Sequence, residues 1–171
     1  MKTYFCKTLV LAMAVAIAAA PAYSFPVIQS GAGVAKITVV TETDAKSTNS
    51  TSWVDVPGAS LNITVPSLKT QLVNVRFSGE SACFGASLPG AWCSVRILAN
   101  LSQMSPRSDS DFAFDSSGAA NDFWEAHAME RTAILGPGTY TISVQWRVTD
   151  PNVAFHLDDW TMAVTQHNGG N

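Results

Sequence analysis

Charge is scarce in this chain. Only 13% of its 171 residues are Asp, Glu, Lys or Arg. The basic residues stand singly, with no cluster or stripe, which excludes the electrostatic footprint a phosphate backbone requires. Cysteine is scarcer still, with three residues, too few for a disulfide-dense miniature scaffold. No apolar run able to cross a bilayer follows residue 20. The sequence has no G-x-S-x-G, no H-E-x-x-H, no phosphate loop and no dinucleotide fingerprint. It has no internal repeat. The familiar signatures of hydrolases, zinc proteases and nucleotide-binding enzymes are therefore missing.

What is present begins with an export signal. Lys2 and Lys7 supply a positive start, and residues 9–20 are unbroken apolar. Small-residue cleavage sites follow at Ala20-Pro21-Ala22 and at Ala22-Tyr23-Ser24. The apolar run is about 12 residues, short of the roughly 20 needed to span a bilayer. We therefore expect a cleaved signal over residues 1–24, no transmembrane anchor, and a secreted or periplasmic protein. The alanine-rich run is bacterial in character. Cleavage removes Cys6 and leaves an even pair, Cys83 and Cys93. It also moves the formal charge from −3 to −5, since Lys2 and Lys7 go and no acid does. About 147 residues remain, enough for one domain with its own core.

Beyond an extended lead-in over residues 25–33, the chain alternates with period two. Leu61, Ile63 and Val65 point one way; Val73, Val75 and Phe77 repeat the pattern, with Asn74 and Arg76 opposite. Cys93, Val95, Ile97, Ala99 and Leu101 follow, then Tyr140, Ile142, Val144, Trp146 and Val148. Such alternation belongs to half-buried antiparallel strands, because successive side chains leave opposite faces. Residues 44–52 and 102–111 read as loops, with a short strand over 112–114. Residues 123–135 alternate poorly, and a helix competes there; Gly136-Pro137-Gly138 then favours a strand and a tight connection. In the last strand, Phe155 and Leu157 have one parity whereas Trp160, Met162 and Val164 have the other. One extra residue at Asp158-Asp159, a β-bulge, restores a single apolar face. Eight to ten strands separated by turn residues predict an all-β antiparallel sandwich over residues 34–166, jelly-roll-like, with a frayed tail over 167–171.

Several residues carry possible chemistry. A Cys83–Cys93 disulfide, closing a loop of about 11 residues, contributes roughly 3 kcal/mol by the chain-entropy relation. Two thiolates alone cannot make a structural zinc site. Asp109, Asp111 and Asp115 alternate along a polar stretch and offer oxygen ligands to Ca²⁺, but the stretch lacks the Gly and distal Glu of an EF-hand loop. The expectation is therefore no cofactor, with Ca²⁺ as the one candidate. Glu80, Glu125, His127, Glu130, His156, Asp158 and Asp159 are the available acid–base groups. At a bulge, Asp158 and Asp159 are expected to be structural, accepting bonds from unpaired N–H groups or pairing with Arg. Trp146 and Trp160 fall on core faces. Trp53, Trp92 and Trp124 border loops and, with Arg76 and Arg96, are the candidates for ligand contact.

The closing run resembles the last strands of jelly-roll domains of the tumour-necrosis-factor and complement-C1q type. It comprises Arg131-Thr-Ala-Ile-Leu, Gly136-Pro-Gly-Thr-Tyr-Thr-Ile-Ser-Val-Gln and Phe155-His-Leu-Asp-Asp-Trp160. Through Phe77-Ser-Gly-Glu-Ser-Ala-Cys83, Trp92-Cys-Ser-Val-Arg-Ile97 and Phe155-His-Leu-Asp-Asp-Trp160, the wider chain is also similar to small secreted bacterial proteins. C1q-like relatives are often trimeric binding modules on a collagenous stem; this chain has no Gly-X-Y stem, but the resemblance keeps a homo-oligomer open. The expected function is a non-enzymatic secreted module that recognises a glycan or a protein through end loops. Two alternatives stand beside it: a hydrolase using Glu80 or Asp158/Asp159, and a structural subunit of a surface assembly.

Overall fold

The computed structural model describes residues 28–85, 90–107, 112–118 and 123–170. The expected export signal lies outside them. Ten strands run in order: β1 (Ala32–Glu42), β2 (Lys46–Thr48), β3 (Val54–Val65), β4 (Gln71–Phe84), β5 (Trp92–Ala99), β6 (Ser102–Gln103), β7 (Ala113–Ser116), β8 (Glu125–Leu135), β9 (Gly138–Val148) and β10 (Ala154–Asn168). The described residues contain no helix. Two antiparallel sheets pack face to face as a β-sandwich. The front sheet has the order β1-β10-β4-β8, with β2 also on β10; the back sheet has β3-β9-β5, with β6 and β7 sharing the outer edge of β5.

The alternating apolar residues meet between the sheets because each sheet has one face to remove from water. Phe77, Phe155, Trp146 and Trp160 fill the centre with Val75, Val144 and Met162, all nearly or wholly buried. Phe77 stacks obliquely on Trp160 at 5.7 Å and Trp146 on Phe155 at 5.4 Å. Burying each such side chain is worth about 1.5–3 kcal/mol before entropy is set against it. Cys83 and Cys93 are bonded, tying β4 of the front sheet to β5 of the back sheet.

The β10–β4 ladder shifts register between Asp158 and Thr161. Asp159 takes φ 43°, a left-handed conformation open to Asp and Asn. The Asp158 carboxylate accepts the Asp159 N–H at 2.9 Å. Neither carboxylate pairs with Arg in any ion pair among the described residues. The extra residue swings Trp160 inward, where it closes on Gly79 of β4: a Cβ on Gly79 would lie 2.8 Å from the Cβ of Trp160.

Several boundaries depart from the alternation pattern, among them β6, which lies within the expected 102–111 loop, and β7, which runs on to Ser116 beyond the expected 112–114 strand. Residues 44–52 contain β2, which pairs with the edge of β10. β3 begins at Val54, ahead of the Leu61–Val65 alternation, and its register shifts around Pro57-Gly58. Leu101 leaves the β5 core face for a hairpin tip, at φ 67° and 86% exposed. β10 continues to Asn168, paired with Gln71, so His167 and Asn168 are strand where fraying was expected.

Candidate functional site

One end of the sandwich, beside the disulfide, opens into a cleft of about 410 Å³ between β7 and the start of β8. Its floor is Phe114, which reaches back to Phe77 at 5.8 Å and Phe155 at 6.2 Å. Its walls include Asp115, Phe123, Glu125, His127 and Cys83. Glu125 and His127 share a wall because residues two apart on a strand share a face. They pair with Ser81 and Gly79 of β4, whose side of the sheet faces the core. Asp115 arrives from the back sheet through its pairing with Cys93.

Four polar side chains converge there. The Ser81 hydroxyl lies 2.8 Å from Asp115 Oδ2 and 2.8 Å from His127 Nδ1. A carboxylate only accepts, so Ser81 donates its one proton to Asp115 and accepts from the Nδ1–H of His127. Asp115 Oδ1 meanwhile accepts the Ser116 N–H at 2.6 Å. The other imidazole nitrogen, Nε2, faces Glu125 Oε2 at 3.6 Å. Phe114 lies against the imidazole at 5.7 Å. Ser81 has no exposure to solvent, and its proton is committed, so this serine–histidine–acid grouping is no nucleophilic triad. It is a preorganised polar wall, with Glu125 and one imidazole edge turned toward the opening. Phe123, 64% exposed, supplies an apolar surface at the mouth.

The aromatic residues expected to touch a ligand divide. Trp53 stacks under two guanidiniums, Arg96 at 4.5 Å and Arg147 at 4.8 Å from its ring. Arg96 also donates to Gln145, and burial, with Arg147 nearby, pushes its pKa down. That assembly covers the outer face of the back sheet, and Trp53 and Arg96 are occupied by each other. Arg76 lies on the exposed face of the front sheet opposite Glu130, away from the cleft. Trp92 and Trp124 are exposed at the cleft end. Trp124 meets Phe84 and His156 edge-on, each at 6.2 Å. Burial there lowers the pKa of His156.

Asp109 and Asp111 lie outside the described residues, so the Ca²⁺ stretch is represented by Asp115 alone, whose oxygens already bond to protein. Among the described residues, no group of three or more His, Cys, Asp or Glu is arranged to hold a metal ion. Glu80 and Asp158 are Cα partners on the outer face of the front sheet, not in the cleft. The cleft was hidden in sequence because Ser81, Asp115 and His127 are far apart along the chain. The Glu125-Ala126-His127 parity was the one local signal.

No protein-family model and no curated protein matches the sequence. Among solved structures, the chain is similar to dimeric latent PorU from Porphyromonas gingivalis, at 11% identity and TM-score 0.43. It is also similar to a structure of infectious bursal disease virus Gx strain, at 12% identity and TM-score 0.34. The alignments cover 81% and 78% of this chain but only 14% and 34% of those chains.

Proposed function

We propose that this is an exported jelly-roll module that binds a glycan in the cleft between β7 and β8. The wiring supports the jelly-roll reading. Taking the eight main strands in chain order, β1-β10-β4-β8 faces β3-β9-β5-β7, the interleaving that two Greek keys produce. Export rests on the residues before Phe25 and on the even cysteine pair they leave.

The observation that carries the binding reading is the composition of the cleft. Sugars present hydroxyl donors along their edges and C–H surfaces on their faces. Glu125 and the Nε2 edge of His127 suit the first, and exposed Phe123 suits the second. The bonds of Ser81 to Asp115 and His127 hold the wall in place before a ligand arrives, which reduces the ordering cost of binding. A hydrolase built on Glu80 or on Asp158 and Asp159 has less support, because those carboxylates lie on a sheet surface and Asp158 bonds the bulge. Glycan-array binding of the mature protein tests the proposal. Retention of a restricted set of glycans, lost in Phe123→Ala, is the expected result; a protein ligand, or none, would replace it.

A further inference from the structure

The free edge of the front sheet carries a second inference, independent of the cleft. β1 pairs with β10 on one side, and no other strand among the described residues pairs with it. Sheet edges are usually blunted by bulges, by charges along the strand or by a covering segment. Here the register irregularities are confined to the first residues, up to Lys36, and the pairing from residue 36 to residue 42 is regular. That stretch carries Ile37 and Val39 on the outer face, 59% and 53% exposed. Its only charges are Lys36 at one end and Glu42 at the other.

We propose that this edge pairs with the same edge of a second copy, antiparallel, about a two-fold axis at Val39. A two-fold there sets each residue opposite its mirror position. Val39 meets Val39 of the second copy, Ile37 meets Thr41, and Lys36 meets Glu42, twice. A strand with opposite charges equidistant from its centre is self-complementary only in this antiparallel register, and slipping by two residues separates the charges. Lys36 has no ion-pair partner among the described residues. Glu42 accepts the backbone N–H groups of Asp44 and Thr43 and has Lys46 Nζ at 3.9 Å, contacts that hold its carboxylate below the usual range and ionised. Cross-strand opposite charges and β-branched pairs both favour such a ladder. The outer faces of the two copies then form one surface, with Ile37 and Val39 of both at its seam.

Sedimentation velocity on the mature protein over a wide concentration range, with circular dichroism as the folding control, tests this. The expected result is a reversible dimer. Lys36→Glu sets like charges opposite and weakens it at least tenfold, as does Glu42→Lys. The double exchange, Lys36→Glu with Glu42→Lys, restores the charge pairs and recovers most of the loss. Val39→Lys, at an exposed position on the axis, gives a folded monomer. A wild-type protein that stays monomeric at every concentration overturns the proposal, as does a dimer unaffected by Val39→Lys. A double exchange no better than either single change overturns the Val39 register.

Discussion

Replacing Gly79 by Ala adds a single methyl group at the point where the bulge presses Trp160 against β4. A Cβ there would stand 2.8 Å from the Trp160 Cβ and 3.2 Å from both its Cα and the Asp158 carbonyl oxygen. Favourable carbon–carbon contact begins near 3.5 Å. Trp160 cannot retreat, because it is 1% exposed and its other side is packed on Phe77. Gly79 needs no left-handed backbone, so Ala would ordinarily gain about 0.4–1 kcal/mol through the unfolded chain. Overpacking costs about 1–3 kcal/mol. The net expectation is a loss of about 1–2 kcal/mol, read as a shift of the urea midpoint at constant slope. Gly136→Ala is the control: its Cβ meets nothing within 4 Å, and the change should be neutral or slightly stabilising. If Gly79→Ala were as stable as the wild type, Trp160 would not be seated on β4 as described and the bulge packing would be wrong.

Other expectations follow from the same contacts. Protein lacking residues 1–24 and recovered from an oxidising compartment should show no free thiol, and reduction should lower unfolding free energy by roughly 3 kcal/mol without abolishing the fold; two alkylatable thiols in native protein would contradict it. Asp159→Gly and Asp159→Asn should leave the melting temperature nearly unchanged, whereas Asp159→Val should cost about 1–2 kcal/mol because a β-branched residue resists positive φ. Asp158→Ala should cost about 1 kcal/mol through the lost bond to the Asp159 N–H; equal melting curves would refute a role for that bond. Burial lowers the His156 pKa in the folded state, so the unfolded chain takes up the proton first as pH falls. Stability should therefore decline as pH drops below the ordinary imidazole pKa of about 6.5, and His156→Gln should reduce that slope; an unchanged slope would show that the ring is not desolvated.

The sandwich was legible because burial on one face writes itself as alternation. Trp146 and Trp160 were assigned to the core from parity alone, and the parity break between Leu157 and Trp160 located the bulge. Its mechanism was less legible. Both aspartates were expected to act as charged acceptors, yet Asp158 takes one N–H while Asp159 serves through its backbone angle. Leu101 misled because periodicity cannot see a turn. Trp53 borders a loop in sequence, but Arg96 and Arg147 reach it from neighbouring strands. The cleft needs three strands to meet, and strand pairing is not written in any one segment.

Calorimetric titration with the strongest glycan-array ligand, across four proteins, tests the cleft assignment most directly. Wild-type protein and Lys69→Ala, a change at the opposite end of the sandwich, should bind alike. Phe123→Ala and Glu125→Gln should each bind at least tenfold more weakly, about 1.4 kcal/mol, with unchanged melting temperatures. Equal affinity in all four proteins, or no glycan bound by the wild type at any concentration, would contradict the cleft as a sugar site.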